Sequence, residues 1–256
     1  MTARDSTVDR ARRFGGVARL YGAAAAHRLA HAHAVVVGVG GVGSWAAEAL
    51  ARSGIGALTL IDLDHVAESN INRQIQALDS TLGMAKVQAL AQRIADIAPD
   101  CRVRGIEEFV DPDNADMLLP DDAGVILDCC DQVRAKAALA ALAWHRGIDA
   151  VAVGAAGGKR AAQRVEVLDL ADVRDDPLLA KLRYRLRRVH GAARSGPIGL
   201  RCVCSRETVR RSAEAACDVA PQGLNCAGYG SSVMVTATFG MVAAGVAVDA
   251  LLAAQA

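Results

Sequence analysis

Three stretches carry residue types at spacings that suit chemistry on a phosphate. The first is a glycine run, Gly38-Val-Gly-Gly-Val-Gly43, between a short apolar segment and a helical one. Gly38, Gly40, Gly41 and Gly43 in that context permit a tight turn, close approach of a phosphate to the backbone, and close packing of helix on strand. Free N–H groups and the positive end of the following helix then favour an anion. Asp62 closes the next apolar segment, about 20 residues on, where a carboxylate can accept from ribose hydroxyls. Asp64, two residues further, joins the nucleotide-binding candidates. These features indicate an adenine nucleotide but do not separate NAD from ATP.

The second stretch bears on that choice. Asn70-Ile-Asn-Arg-Gln74 follows the Asp62 segment, and Lys86 opens the next helical pattern. Asn70, Asn72 and Gln74 bring amide groups, and Arg73 and Lys86 bring two fixed positive charges. A diphosphate is usually held by the backbone of the turn alone, whereas charge developing at the α-phosphate of ATP calls for cations. The third stretch, Asp128-Cys-Cys-Asp131, ends another apolar run. Asp131 suits Mg²⁺, which bridges phosphate oxygens and helps a diphosphate leave. Taken singly, Arg73 and Lys86 read equally as surface charges and Asp131 as a helix cap. Their order after successive strand ends points to Arg73, Lys86 and Asp131 as the catalytic set.

The elements that must position these groups alternate. Short apolar runs at Ala34–Val39, Leu58–Asp62, Gly124–Asp128 and Ala150–Val153 read as buried strands, with a further strand at Arg102–Ile106. Helical spacing covers Ser44–Ser53, Gly83–Ile97 and Val133–His145, and an Ala-rich helix is expected over Val17–Ala30. This alternation predicts a Rossmann-like α/β fold, a mostly parallel sheet with helices on both faces. After Gly157-Gly158 the pattern changes to a strand at Arg164–Leu168 and a helix over Leu178–His190. Residues 13–256 are expected to form a single domain after a flexible N-terminus of residues 1–12, with 159–230 a more irregular, basic, substrate-facing region.

Composition narrows the class. The chain of 256 residues is 52% hydrophobic but only 3% aromatic, so its core must be built from small aliphatic side chains, which suits helices lying close on a sheet. Seven cysteines without a CxxC pair argue against a zinc ribbon and a disulfide framework. Val233–Leu252 is nearly long enough to cross a bilayer, yet Thr236, Thr238 and Asp249 and the lack of a flanking basic cluster favour a buried core or interface helix. No signal peptide pattern opens the chain, so a cytoplasmic protein without a stable membrane partner is expected. The net charge of +1 hides an asymmetry: Lys159–Arg211 holds 14 basic and 6 acidic residues. Such polarisation marks either a polyanion-binding face or a solvated Arg-rich segment.

The glycine run, the Asp62 strand end, Asn70–Gln74 with Lys86, and Asp128-Cys-Cys-Asp131 together resemble the ubiquitin-activating-enzyme-like adenylating family, which includes activators of sulfur-carrier proteins. The resemblance implies acyl adenylation of a carboxylate with ATP and Mg²⁺: Asp62 on the ribose, Asn70, Arg73 and Lys86 on the triphosphate, Asp131 on the metal. One branch matches from about Arg13 to the C-terminal helix. Arg13-Phe-Gly-Gly16, Arg19-Leu-Tyr-Gly22, Gly54-Ile-Gly56, Asn72-Arg-Gln-Ile75, Gly154-Ala-Ala-Gly-Gly158, Asp176-Pro-Leu178 and Val233-Met-Val-Thr-Ala-Thr-Phe-Gly240 are similar to the tRNA threonylcarbamoyladenosine dehydratases.

That resemblance implies a homodimer acting on N6-threonylcarbamoyladenosine at position 37, in the anticodon loop of tRNA. It implies adenylation of the threonyl carboxylate followed by intramolecular ring closure, which needs neither zinc cysteines nor a thioester-forming cysteine. Cys202, Cys204 and Cys226 are therefore expected to be incidental thiols. Lys181, Arg183, Arg185, Arg187 and Arg188 become candidates for anticodon-stem phosphates, against the plainer reading of a helix whose leucines pack inward and whose arginines face water. The arginine that a partner subunit contributes in sulfur-carrier activators has no direct match; Arg13 and Arg19 lie nearest. Some relatives work beside a cysteine desulfurase and its sulfur acceptor, a partnership no residue here carries. The alternatives are an adenylyltransferase for a ubiquitin-like sulfur carrier, an NAD-dependent oxidoreductase, which leaves Arg73, Lys86 and Asp131 without a task, and a tRNA-binding module without turnover.

Overall fold

The computed structural model describes residues 8–210 and 229–253. Two helices, α1 (Arg10–Tyr21) and α2 (Ala23–His31), lead into β1 (His33–Val37), α3 (Gly43–Arg52) and β2 (Ala57–Ile61). Then come α4 (Lys86–Ile97), β3 (Arg102–Ile106), α5 (Ala115–Leu118), β4 (Val125–Asp128), α6 (Val133–Arg146) and β5 (Asp149–Val153). The chain finishes with β6 (Val165–Asp169), α7 (Pro177–Val189), β7 (Arg201–Ser205) and α8 (Val233–Ala253).

Seven strands form one sheet in the order β3-β2-β1-β4-β5-β7-β6. Every neighbouring pair is parallel except β6 with β7. Successive residues of a strand face opposite sides, and β1 shows why its apolar run is continuous: Ala34 and Val36 join the core under α3, α4 and α8, while Val35 and Val37 join the core under α5 and α6. Burial on both faces requires an unbroken run of small aliphatic residues, which is what the composition supplies. Strand order reverses between β1 and β4, so the chain leaves their carboxyl ends in opposite directions and opens a crevice there, the place where open α/β sheets bind ligands.

Helix α8 is long and apolar enough to cross a membrane, yet Val235, Phe239, Ala243, Ala247 and Ala250 are buried within this fold. A Cβ at Gly240 would stand 2.5 Å from the Val42 carbonyl oxygen and 2.8 Å from Trp45 Cβ, so the missing side chain is what lets α8 lie directly on α3. It is the buried core helix its polar residues suggested.

Several expectations need correction. The helix expected over Val17–Ala30 is two helices that meet at Gly22, where φ is +92° and the helical hydrogen-bond ladder stops. Residues 10–12 are not a free N-terminus: Asp9 caps α1, and Arg10 bonds Asp100 and the Gly54 carbonyl. Residues 1–7 lie outside the described residues. The α4 helix begins at Lys86 rather than Gly83, because Gly83 sits in a turn at φ +81° and Ala85 forms an isolated bridge with His65. In the described part of the basic region, β6, α7 and β7 are regular elements, while residues 211–228 lie outside the described residues. Strand β7, Arg201-Cys-Val-Cys-Ser205, escaped notice because its inward positions are thiols rather than branched aliphatics.

Candidate active site

The glycine turn fits the crevice at the strand-order reversal. Gly38 has φ +82°, and a Cβ there would stand 2.9 Å from the Cys130 backbone nitrogen, on the loop that leaves β4. A Cβ at Gly43 would lie 1.9 Å from the Gly38 carbonyl oxygen, so no side chain fits at that position. The turn is therefore pressed between the ends of β1 and β4 and the first turn of α3. Helix α3 starts from Val42 with no side-chain cap, as do α2, α4, α5 and α6, but only α3 opens directly from the glycine turn.

Asp62 ends β2 and is buried. Its Oδ2 accepts from the Val39 N–H at 2.8 Å and its Oδ1 from the Asp64 N–H at 2.9 Å, so the carboxylate ties the glycine turn to the chain after β2. Burial raises its pKa above 3.8, and the nearby Lys86 charge opposes that rise. Lys86 is also buried, with Nζ at 2.6 Å from Asp64 Oδ2 and its backbone N–H on the Asp64 carbonyl. Asp64 is therefore the resting partner of the lysine, and its own side chain is half exposed on the solvent side of the pair.

The Asn70–Gln74 segment continues from a short 3-10 helix, Glu68–Asn70, as a turn whose side chains brace one another. Asn70 Oδ1 accepts from the Ala67 N–H, and Arg73 Nη1 donates to the Ser69 carbonyl at 2.7 Å and to Asn72 Oδ1 at 2.9 Å. Arg73 is buried, which lowers its pKa, and it has no carboxylate partner among the described residues. Its aliphatic stem lies against Gly41, where a Cβ would stand 3.4 Å from Arg73 Cδ, so this cation sits beside the glycine turn. Gln74 is buried, accepts from Gln76, and has its Nε2 close to Gly40.

At the end of β4 the structure adds a residue that motif reading passed over. Lys136 is fully buried in the first turn of α6, with Nζ at 3.0 Å from Asp128 Oδ1 and 3.0 Å from the carbonyls of Asp128 and Cys130. Burial, the largest single effect, would lower the lysine pKa, but the charge and hydrogen bond of Asp128 together with the neighbouring Cys130 and Cys129 make the net shift upward. Asp128 also accepts from the Cys130 thiol and N–H, so its carboxylate is occupied within the protein. Lys136 thus holds the Asp128–Asp131 turn in shape, with Asp131 half-buried at its end. A lysine eight residues beyond Asp128 on an otherwise Ala-rich, buried helix face was the signal available for it.

The opposite wall comes from the chain's last third. Asn72 Nδ2 donates to the Ser231 carbonyl, and Gly158 N–H donates to the Gly230 carbonyl, so residues 229–232 bridge the Asn70–Gln74 segment to the Gly154–Gly158 loop after β5. Trp45 Nε1 and Thr236 Oγ1 both donate to the Arg73 carbonyl. Buried Lys159 donates to the Ser205 carbonyl at 2.8 Å, and Glu207 accepts from the N–H groups of Arg160 and Ala161, fixing the exit of that loop. These anchors carry no local sequence signature.

The described cysteines are buried or half-buried, and their thiols are hard to ionise. Cys202 and Cys204 are buried in β7; burial pushes the Cys202 thiol well up and Cys204 to about 11. Cys129 is pushed to about 12. Thiols so reluctant to ionise are inert. Cys217 and Cys226 lie outside the described residues. Arg13 donates to the carbonyls of Asp96 and Ile97 at the end of α4, which occupies it within its own chain, while Arg19 is exposed.

The candidate tRNA residues do not act alike. Lys181 and Arg188 are exposed, and Arg188 donates to Tyr184. Arg183 donates to the carbonyls of Leu170 and Val173, and Arg187 to that of Ala193. The Arg185 Nε is buried and bonds nothing among the described residues. Leu178, Leu182 and Leu186 are buried as expected.

A family model described as the ThiF family matches residues 16–255. The curated tRNA threonylcarbamoyladenosine dehydratase of Escherichia coli (strain K12) is 46% identical over 251 residues, 94% of each chain. That of Haemophilus influenzae is 38% identical over 94% of this chain and 93% of its own. The crystal structure of the E. coli tRNA N6-threonylcarbamoyladenosine dehydratase in complex with ATP covers 97% of both chains at a TM-score of 0.86 and 44% identity. The molybdopterin-synthase adenylyltransferase of Salmonella typhimurium is 36% identical over 42% of this chain and 43% of its own.

Proposed function

We propose that this chain, which belongs to the ThiF family, uses ATP to dehydrate N6-threonylcarbamoyladenosine in tRNA. The observation that carries the reading is similarity at 46% identity across nearly the whole length of a dehydratase, set on a crevice whose uncapped helix end and buried cations suit a nucleotide triphosphate. Similarity to a sulfur-carrier adenylyltransferase spans under half of each chain, so it stops short of a shared substrate.

The chain's residues fit the chemistry in order. The glycine turn and the start of α3 receive phosphates, and Asp62 faces the ribose while bracing the turn. Arg73 and Lys86 stabilise charge at the α-phosphate as a threonyl carboxylate oxygen bonds to phosphorus and pyrophosphate leaves. Lys86 must exchange Asp64 for phosphate oxygen, which keeps the buried ammonium neutralised before and after ATP arrives. Asp131 would hold Mg²⁺, which supplies charge neutralisation on the leaving diphosphate. A single carboxylate suits Mg²⁺, which takes most of its ligands from phosphates and water. The neighbouring carbamoyl group then attacks the activated carbonyl carbon, AMP departs, and the ring closes with net loss of water. Because the nucleophile is tethered to the electrophile, no protein nucleophile is needed, in keeping with the buried thiols.

In this reading the enzyme works in the cytoplasm as a homodimer on tRNA, with the exposed cations of α7 toward the anticodon stem. Nucleoside mass spectrometry after incubation with Mg-ATP and modified tRNA tests it. The modified adenosine should lose the mass of one water; an unchanged nucleoside, with pyrophosphate exchange dependent on a ubiquitin-like protein instead, would move the chain to the sulfur-carrier class.

A further inference from the structure

A second concave site lies away from the nucleotide crevice. It has a volume of about 460 Å³ and is walled by the loop carrying Asp172 and Arg174, by Arg183 and Arg187 one helical turn apart on α7, and by Arg194 with residues 195–197. Among the described residues none of the four arginines lies within ion-pair distance of a carboxylate. Four guanidinium groups therefore face one hollow against the single carboxylate of Asp172. Their crowding is felt at Arg183, whose pKa is lowered by burial and then by the charges of Arg174 and Arg187.

The hollow is built rather than incidental. Asp169 accepts from the N–H groups of Ala171, Ile198 and Gly199, stitching two of its walls together. Arg183 is held by the Leu170 and Val173 carbonyls, Arg187 by Ala193, and Arg174 by Ala171 and Val173. Each of these guanidinium groups spends part of its donor set on holding its position. Beside them Tyr184 is 62% exposed, with the Arg188 guanidinium 5.9 Å from its ring centroid, so an aromatic face adjoins the basic wall.

Its place in the fold decides what fills it. Asp169 pairs with Arg201 at the start of β7, which runs parallel to β5, so the hollow lies toward the amino edge of the sheet, opposite the glycine turn. Helix α7 connects the two edges: its capping Asp176 accepts from the Ala155 N–H in the Gly154–Gly158 loop after β5. Arg183 and Arg187 are seven and eleven residues further on, about 10 and 16 Å along the axis at about 1.5 Å per residue. A single nucleotide cannot fill both sites. An RNA backbone running on from a base held at the carboxyl edge can reach this hollow as well.

Resting on the functional reading above, we propose that Arg174, Arg183, Arg187 and Arg194 form a cleft for the RNA phosphodiester backbone of the stem flanking the target adenosine. Phosphate contacts of this kind set register and orientation without reading sequence, which suits an enzyme whose substrates share a modified base and differ in stem sequence.

The test uses the full chain and tRNA bearing threonylcarbamoyladenosine, with Kd measured by fluorescence anisotropy across a salt series. Arg174→Glu combined with Arg194→Glu should raise Kd at least about tenfold near 0.1 M salt and make the log–log salt slope shallower by about two. Arg194→Ala, which removes an exposed loop side chain, should raise it about threefold. Arg104→Glu, on β3 at the far end of the sheet, should change Kd less than about twofold, and ATP affinity by calorimetry should be retained in all three. Unchanged Kd and slope in the double variant, or an equal loss in Arg104→Glu, overturns the cleft. Native enzyme that leaves the modified nucleoside intact with Mg-ATP overturns the functional reading together with the cleft, whereas native turnover with unaltered variant binding overturns the cleft alone.

Discussion

Cations are treated in opposite ways in the two halves of this molecule. Around the crevice between β1 and β4, Lys86 and Lys136 are buried and paired with Asp64 and Asp128, and Arg73 is buried on backbone and amide oxygens. Around α7, Arg174, Arg183 and Arg187 hold carbonyl oxygens and share a hollow with Arg194, without a paired carboxylate among the described residues. The contrast separates two jobs. A cation that must stabilise a transition state is kept dry and preorganised, so its charge acts through little water. One that must attract a long polyanion gains from staying wet and unneutralised, where it adds to a field that extends over the surface.

That comparison can be broken at several points. The largest effect is expected at Lys136. Lys136→Met leaves Asp128 buried without its partner and should lower unfolding free energy by about 3–5 kcal/mol in denaturant titration. Its pH dependence has a definite sign. The folded pKa is raised above 10.5, so the stabilisation is complete below the unfolded value and is lost as pH rises through the folded one. Alkaline unfolding should therefore shift less with pH in Lys136→Met than in the native chain. A merely packing role would leave that slope unchanged.

Lys86→Ala should reduce the rate of adenylation by about 10²–10³, read by pyrophosphate exchange, while thermal melting stays close to native. Native turnover in this variant would remove the buried cation from the catalytic step. Next in size is the acid limb of nucleotide binding. Burial raises the Asp62 pKa, so as pH is lowered ATP affinity should begin to fall before pH 3.8 is reached, when the ribose-facing carboxylate takes up a proton. Calorimetry on Asp62→Asn should show weaker binding with that limb gone.

Arg183→Glu sharpens the comparison differently. It removes donors to the Leu170 and Val173 carbonyls as well as a charge, so both melting temperature and tRNA affinity should drop. The smallest effect belongs to Arg188→Ala, whose side chain touches only Tyr184 among the described residues. Stability should stay within about 0.5 kcal/mol of native while tRNA affinity weakens slightly, and more at low salt than at high.

Much of this was legible in the chain itself. Continuous apolar runs at Ala34–Val39 and Leu58–Asp62 read as strands buried on both faces, which they are, and the Gly38–Gly43 turn lies between strand and helix as its proposed phosphate role requires. Arg73, Lys86 and Asp131 were placed by their order after strand ends, a local property that sequence records. Tertiary structure decided how those groups are held. Asp64 is the counter-ion of Lys86 across 22 residues, Lys136 fixes the Asp128 turn, and residues 229–232 close the site from the end of the chain. Strand β7 and the arginine hollow were likewise invisible, since one is buried on thiols and the other is assembled from three separate loops and helix faces. The physical reason is common to all of them. Turn chemistry and hydrophobic period act between neighbours in sequence, whereas ion pairing and burial depend on distances that exist only once the sheet has formed.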